Sequence, residues 1–147
     1  MTEWLLGEVR EDRFLDGSVR LLQPLSGYRA ATDPVLLAAA IPAWAGEAVL
    51  DLGCGAGAAS LCLASRVEVS LSGVEIQPGY LELAAANAQA NGVEIDLHEG
   101  DVAAMPAGLK ALSFDQVMLN PPYHPEDFLA SPIAAKDRAH REAAPLA

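Results

Sequence analysis

Aromatic residues make up only 5% of this 147-residue chain, its cysteines number two, and nine Lys and Arg face twenty Asp and Glu. Each scarcity narrows the possibilities. With so few rings the core has to be assembled from Ala, Leu, Val and Ile, and a 52% hydrophobic content suffices for one domain of ordinary size. A net charge of −11 argues against a general nucleic-acid coat, because phosphate binding needs clustered Lys and Arg, but it leaves room for a local basic site. Cys54 and Cys62 fall in one loop–helix unit. That placement suits neither a disulfide nor a metal cluster and points to free thiols in a reducing compartment. The start, "MTEWLLGEVRED", lacks the basic and apolar regions of a signal peptide. The longest apolar stretch, residues 34–46, is broken by Pro42 and is too short to cross a bilayer. The expected location is the cytoplasm, with no membrane partner.

What is present is an ordered alternation of elements. Residues 12–22 read as a short hairpin with Asp16-Gly17 at its turn. "ATDPVLLAAAIP" reads as a helix that Thr32 or Asp33 caps, with Pro34 in its first turn and Pro42 at its end. From Ala48 onward, strands at 48–53, 69–76, 93–101 and 114–120 alternate with helices at 58–66 and 78–92, the second closed by Asn91-Gly92. Strands joined through helical crossovers imply a parallel, doubly wound α/β sheet over residues 48–147, preceded by an N-terminal segment of residues 1–47. No strand pattern follows Tyr123. A four-stranded sheet with an open apolar edge is association-prone, so the expectation is a fragment, or an edge that a partner or a second copy covers.

Two stretches carry chemistry. "VLDLGCGAG" places Gly53, Gly55 and Gly57 where the first sheet strand meets a helix, the position at which doubly wound folds bind nucleotide-like ligands. Gly53-x-Gly55-x-x-Ala58, with Glu75 twenty residues past Gly55, satisfies a dinucleotide fingerprint and equally fits a site for S-adenosylmethionine. Asp51 favours the second. A carboxylate ending an apolar strand is costly to bury without a cation, and a pyrophosphate would repel it where an amino-acid ammonium would suit it. Glu75 can accept from ribose hydroxyls, and Asp101, after the third strand, from an adenine amino group.

The second stretch is "FDQVMLNPPY". Pro121 and Pro122 have no N–H and a fixed φ, so the turn presents carbonyls without competing donors, and Asn120 adds a side-chain carbonyl. Two rigid acceptors can take both hydrogens of a flat –NH2 group. Such a nitrogen is a poor nucleophile because its lone pair is delocalised, and holding its hydrogens out of plane returns density to it. Tyr123 can stack on the planar group. No cysteine follows the prolines, which disfavours methylation at a pyrimidine ring carbon.

With these motifs the chain resembles class I S-adenosylmethionine-dependent methyltransferases of the Asn-Pro-Pro-Tyr group. Within it, "LLQPLSGYRAATDPVLLAAAIP", "VLDLGCGAG", "VEIQP", "EGD" and "FDQVMLNPPY" are most similar to the valine-tRNA adenine-N6 methyltransferases. The resemblance implies a Rossmann-like methyltransferase sheet whose last strands lie beyond this chain. It implies that Asp51, Gly53, Cys54, Gly55 and Gly57 hold the methionine part of S-adenosylmethionine, Glu75 and Ile76 its ribose, and Asp101 and Val102 its adenine. Residues 28–33 would close over the cofactor, with Tyr28, Arg29, Thr32 and Asp33 contributing, and Asn120 through Tyr123 would hold the acceptor, Asn120 touching the cofactor as well.

RNA is the expected partner, an unstacked adenine of tRNA its target. Lys136, Arg138 and Arg141, beside His140, are candidate substrate contacts, with Arg10, Arg13, Arg20 and Arg29 offering further cations. A glutamine amide in a protein or a guanine N2 is the alternative acceptor. A nicotinamide-dependent oxidoreductase and a non-catalytic binding module are the other classes left open.

Overall fold

The computed structural model describes residues 3–121. Pro122, Tyr123, Lys136, Arg138, His140 and Arg141 lie outside the described residues. The elements run β1 (Val9–Phe14), β2 (Val19–Pro24), α1 (Asp33–Ala40), β3 (Ala48–Leu52), α2 (Ala58–Ala64), β4 (Ser70–Glu75), α3 (Pro78–Asn91), β5 (Ile95–Glu99), α4 (Ala107–Lys110) and β6 (Gln116–Leu119).

The hairpin is longer than its turn signal suggests. β1 and β2 pair from Val9 with Pro24 to Phe14 with Val19, around a loop at residues 15–18. Asp16 and Gly17 both take positive φ there, at 54° and 88°. The extra pairing comes from burial, since Gln23 and Pro24 are enclosed by the rest of the domain. Helix α1 also differs in detail from expectation. Thr32 is its N-cap, but through the backbone: its carbonyl accepts from Val35 and Leu36, and no side-chain cap bond forms. Ile41, which precedes Pro42, is extended at ψ 119°, as the proline ring demands. Arg66, just past α2, donates to the carbonyls of Ala38 and Ile41 and so satisfies acceptors that the helix end leaves open.

β3 to β6 form a parallel sheet in the order β5-β4-β3-β6. Successive crossovers run outward from β3 to β5, and the chain then returns to place β6 on the other side of β3. The strand order therefore reverses between β3 and β6, and a crevice opens at their carboxyl ends. One sheet face packs Val49, Leu71 and Met118 against Ala38 of α1 and Ala59, Cys62 and Leu63 of α2. A second cluster joins the hairpin, through Val19 and Leu21, to Leu61, Tyr80 and Leu83. The opposite sheet face is covered by Leu109 of α4, over Leu50 and Val74. Val117 and Leu119 of β6, in register with Leu50 and Leu52, are exposed.

Gly73, opposite Asp51 on β4, has a packing role that composition does not reveal. A Cβ there would stand 2.9 Å from Cys54 Sγ and 3.1 Å from Leu97 Cδ2. Gly73→Ala is expected to destabilise the chain by about 1–3 kcal/mol in denaturant unfolding. Adding Cys54→Ala should recover part of that loss, and no recovery would show that the clash is not with the thiol.

Candidate functional site

The site is built where β3, β4 and β6 end side by side. Gly53, Gly55 and Gly57 all take positive φ, at 69°, 55° and 88°, so the loop turns sharply three times within five residues. Cys54 N–H donates to Val74 O at 2.9 Å, which lashes the loop to β4. The thiol of Cys54 is buried and inert, its pKa pushed well above the ordinary value by desolvation and then by Asp51 and Glu75.

Glu75 is 7% exposed and accepts from two backbone donors, Gly55 N–H on Oε2 and Gln77 N–H on Oε1, each at 2.9 Å. Each oxygen keeps a further lone pair, a layout suited to a pair of neighbouring hydroxyls. Burial raises its pKa, against these hydrogen bonds. Asp51 is 3% exposed, and its Oδ2 accepts from Ser60 Oγ at 2.7 Å. Among the described residues no cation pairs with it. Its pKa is raised to about 6 by burial, with a hydrogen bond from Ser60 opposing and Glu75 adding to the rise. A buried carboxylate poised this way is complementary to an incoming cation.

A cavity of about 60 Å³ joins Asp51 to the glycine loop, while Glu75 does not line it and reaches the loop through its bond from Gly55 N–H. Asp51, Gly53, Cys54, Gly55 and Asn120 line it, with Tyr28, Ala30 and Gln23 from the N-terminal segment and Tyr80 from α3. Asn120 thus comes to the glycine loop from β6, across a sequence gap of more than sixty residues. Asp101 lies outside the cavity, exposed, in a turn where its Oδ1 accepts from Ala103 N–H at 2.8 Å. Ile76 and Val102, which follow the two acids, are apolar and exposed. Pro121 is half-buried beside Asn120.

The segment over the cavity is arranged differently from its sequence reading. Arg29, Thr32 and Asp33 do not line the cavity. Arg29 is turned onto β1, where its Nη2 meets Asp12 Oδ2 at 2.7 Å. Thr32 and Asp33 are exposed at the start of α1. The other N-terminal arginines are also engaged: Arg10 with Asp12, Arg13 and Arg20 with Glu11. The hairpin therefore offers phosphate no cluster of unpaired cations.

Three polar residues that the motifs did not single out hold this arrangement. Asn87, fully buried, accepts from Leu22 N–H at 2.6 Å and donates to Leu22 O at 3.0 Å and Ala56 O at 2.9 Å, joining β2 to the glycine loop. A signal existed, because Asn87 stands at helical spacing within the stripe Tyr80, Leu83, Ala84 and Ala88. Tyr80, also buried, donates its hydroxyl to Tyr28 O at 2.8 Å, and desolvation pushes its pKa up to about 12. Gln23 binds Ala30 and Asp12.

Comparison with known proteins follows the same lines. The family model for the methyltransferase small domain matches residues 30–139. Over 115 residues the chain is 33% identical to a tRNA1(Val) (adenine(37)-N6)-methyltransferase of Yersinia pestis, and equally so to one of Yersinia pseudotuberculosis. The alignment covers 76% of this chain and 44% of each relative, so the chain spans less than half the length of these proteins. Among solved structures, the T. thermophilus 16S rRNA N2 methyltransferase RsmC, in complex with AdoMet and guanosine, superposes with a TM-score of 0.63 at 26% identity. That match covers 84% of this chain and 34% of the other.

Proposed function

Because this chain belongs to the methyltransferase small domain family, we propose that it transfers a methyl group from S-adenosylmethionine to a planar exocyclic nitrogen, with adenine N6 of a tRNA the favoured acceptor. One observation carries the reading: a buried carboxylate, a glycine loop of positive φ and Asn120 line a single cavity.

The residues fit the cofactor's chemistry. S-adenosylmethionine supplies a methyl group activated on a sulfonium. Asp51 receives the ammonium of its amino-acid end, the glycine loop lies along the same part, and Glu75 accepts from the ribose hydroxyls. At about 60 Å³ the cavity is well below the ~300–1,000 Å³ of a pocket enclosing a whole ligand, and with Asp51 in its wall it would take the amino-acid end. Outside the cavity, Ile76 and Val102 would offer apolar flanks to the base and Asp101 an acceptor for its amino group. Asn120 and the carbonyl of Pro121 grip the hydrogens of the acceptor nitrogen. Pro122 rigidifies that turn and Tyr123 stacks on the acceptor. These roles raise the reactivity of the delocalised nitrogen and aim its lone pair.

Lys136, Arg138 and Arg141 contact the RNA in this reading. It is supported by the engagement of every arginine among the described residues elsewhere, at Glu11, Asp12 or the end of α1. Residues 1–47 form a hairpin and a cover for the cofactor, and the edge of β6 that pairs with no strand among the described residues is available for self-association. Catalysis takes place in the cytoplasm, where the buried thiols of Cys54 and Cys62 stay reduced. Guanine N2 is the second reading, favoured by the likeness to an rRNA N2 methyltransferase.

Labelled methyl transfer to total tRNA, total rRNA and total protein, followed by nucleoside and peptide analysis, separates these acceptors. N6-methyladenosine in tRNA is expected. N2-methylguanosine selects the second reading, and label in glutamine alone rejects both.

A further inference from the structure

On β2 the inward-facing positions are Val19, Leu21 and Gln23. The first two are apolar, as a buried strand face requires, and the third is an amide that is 2% exposed and lines the cavity. Its Oε1 accepts from Ala30 N–H at 2.6 Å, and its Nε2 donates to Ala30 O at 3.3 Å. A glutamine amide thus does for Ala30 what a neighbouring strand's peptide groups would do. A buried backbone residue with no such partner leaves a donor and an acceptor unsatisfied.

The hold continues at the two residues before Ala30. Tyr28 O accepts from the Tyr80 hydroxyl. Arg29, on the alternate side, is bonded to Asp12 Oδ2, and the same oxygen accepts from Gln23 Nε2 at 2.9 Å. Residues 28–30 belong to no strand, yet consecutive residues are fixed by side chains from β1, β2 and α3.

We propose that Gln23 is a positioning residue for the cofactor: by pairing with Ala30 it sets Tyr28 and Ala30 against the glycine loop before the ligand arrives. The inference rests on the methyltransferase reading for the ligand's identity, and on geometry alone for the hold on Ala30. A cover fixed in advance lowers the ordering cost of binding, so its loss is read in affinity.

Gln23→Leu keeps most of the volume and removes all three hydrogen bonds. In the full chain at 25 °C it is expected to weaken S-adenosylhomocysteine binding by about tenfold or more in calorimetry. Protection of the Ala30 amide from hydrogen exchange, in the ligand-free protein, should fall to that of an open loop. Tyr80→Phe, which releases Tyr28 O but leaves Gln23 in place, should weaken binding less and leave Ala30 protected. Unchanged affinity in Gln23→Leu together with a lowered Tm would mean a purely structural role and overturn the proposal, as would unchanged protection of Ala30. If the unaltered chain binds no S-adenosylhomocysteine, the methyltransferase reading and the role in cofactor binding fall together, and the exchange measurement still decides whether Gln23 holds Ala30.

Discussion

Asn120→Ala is expected to lower methyl transfer by roughly 100-fold to 1,000-fold while leaving cofactor affinity nearly unchanged, the scale seen when one preorganised polar contact to a reacting group is removed. The position favours a clean test. Asn120 follows the last residue of β6, is only half-buried and lines the cavity. Truncating it removes a carbonyl acceptor without opening a hole in either apolar cluster around the sheet. The readout is single-turnover transfer, compared with S-adenosylhomocysteine affinity in the same variant. Full transfer by Asn120→Ala would sink the mechanism. A parallel loss of affinity and transfer would move Asn120 from the acceptor to the cofactor.

The second large effect concerns Asp51, and its two parts have opposite signs. In the folded chain its pKa is about 6, against an ordinary 3.8, so the folded state holds this proton more tightly than the unfolded one. For a carboxyl shifted in that direction, the associated stabilisation is complete below about pH 3.8 and is lost as pH rises through about 6. At neutral pH the ionised, buried carboxylate therefore costs the ligand-free protein on the order of 2–3 kcal/mol. Asn resembles the protonated acid and can still accept from Ser60 Oγ. Asp51→Asn should thus be more stable than the native chain at pH 7, with the gap closing towards pH 4, as urea unfolding across that range would show.

The same substitution should cost ligand affinity, because it removes the negative partner of the ammonium. For the native chain, binding should weaken by up to about tenfold per pH unit below pH 6 and level off above it. Asp51→Asn should bind more weakly at neutral pH and lack that dependence. A variant that loses stability instead would mean that Asp51 is already compensated in the ligand-free fold. Equal affinity at pH 7 would remove Asp51 from the site.

Much of this site is visible in the chain because its signals are local. Three glycines between a strand and a helix, an acid ending each of two strands, and a proline pair closing a fourth strand are short-range statements about turns and burial. The asparagines and Gln23 are a different matter. Asn87 pairs with Leu22, and Asn91 with Arg20, across the domain, and no turn propensity bears on such contacts. The arginines show the limit most clearly. As letters, Arg10, Arg13, Arg20 and Arg29 suggest a cationic face, yet all four pair with Glu11 or Asp12: Arg10 and Arg13 along β1, Arg20 across the hairpin and Arg29 from beyond it.

Periodicity and turn chemistry were therefore enough to establish a parallel α/β sheet, its glycine loop and the residues at its strand ends, since each depends on neighbours a few positions away. The tertiary structure decided how those ends combine. It brought Asn120 beside Asp51 by placing β6 against β3, made Gly73 the space into which Cys54 packs, and fixed residues 28–30 through side chains of three other elements. Each of these outcomes depends on which groups lose water together, a property of the packed whole that no stretch of sequence carries alone.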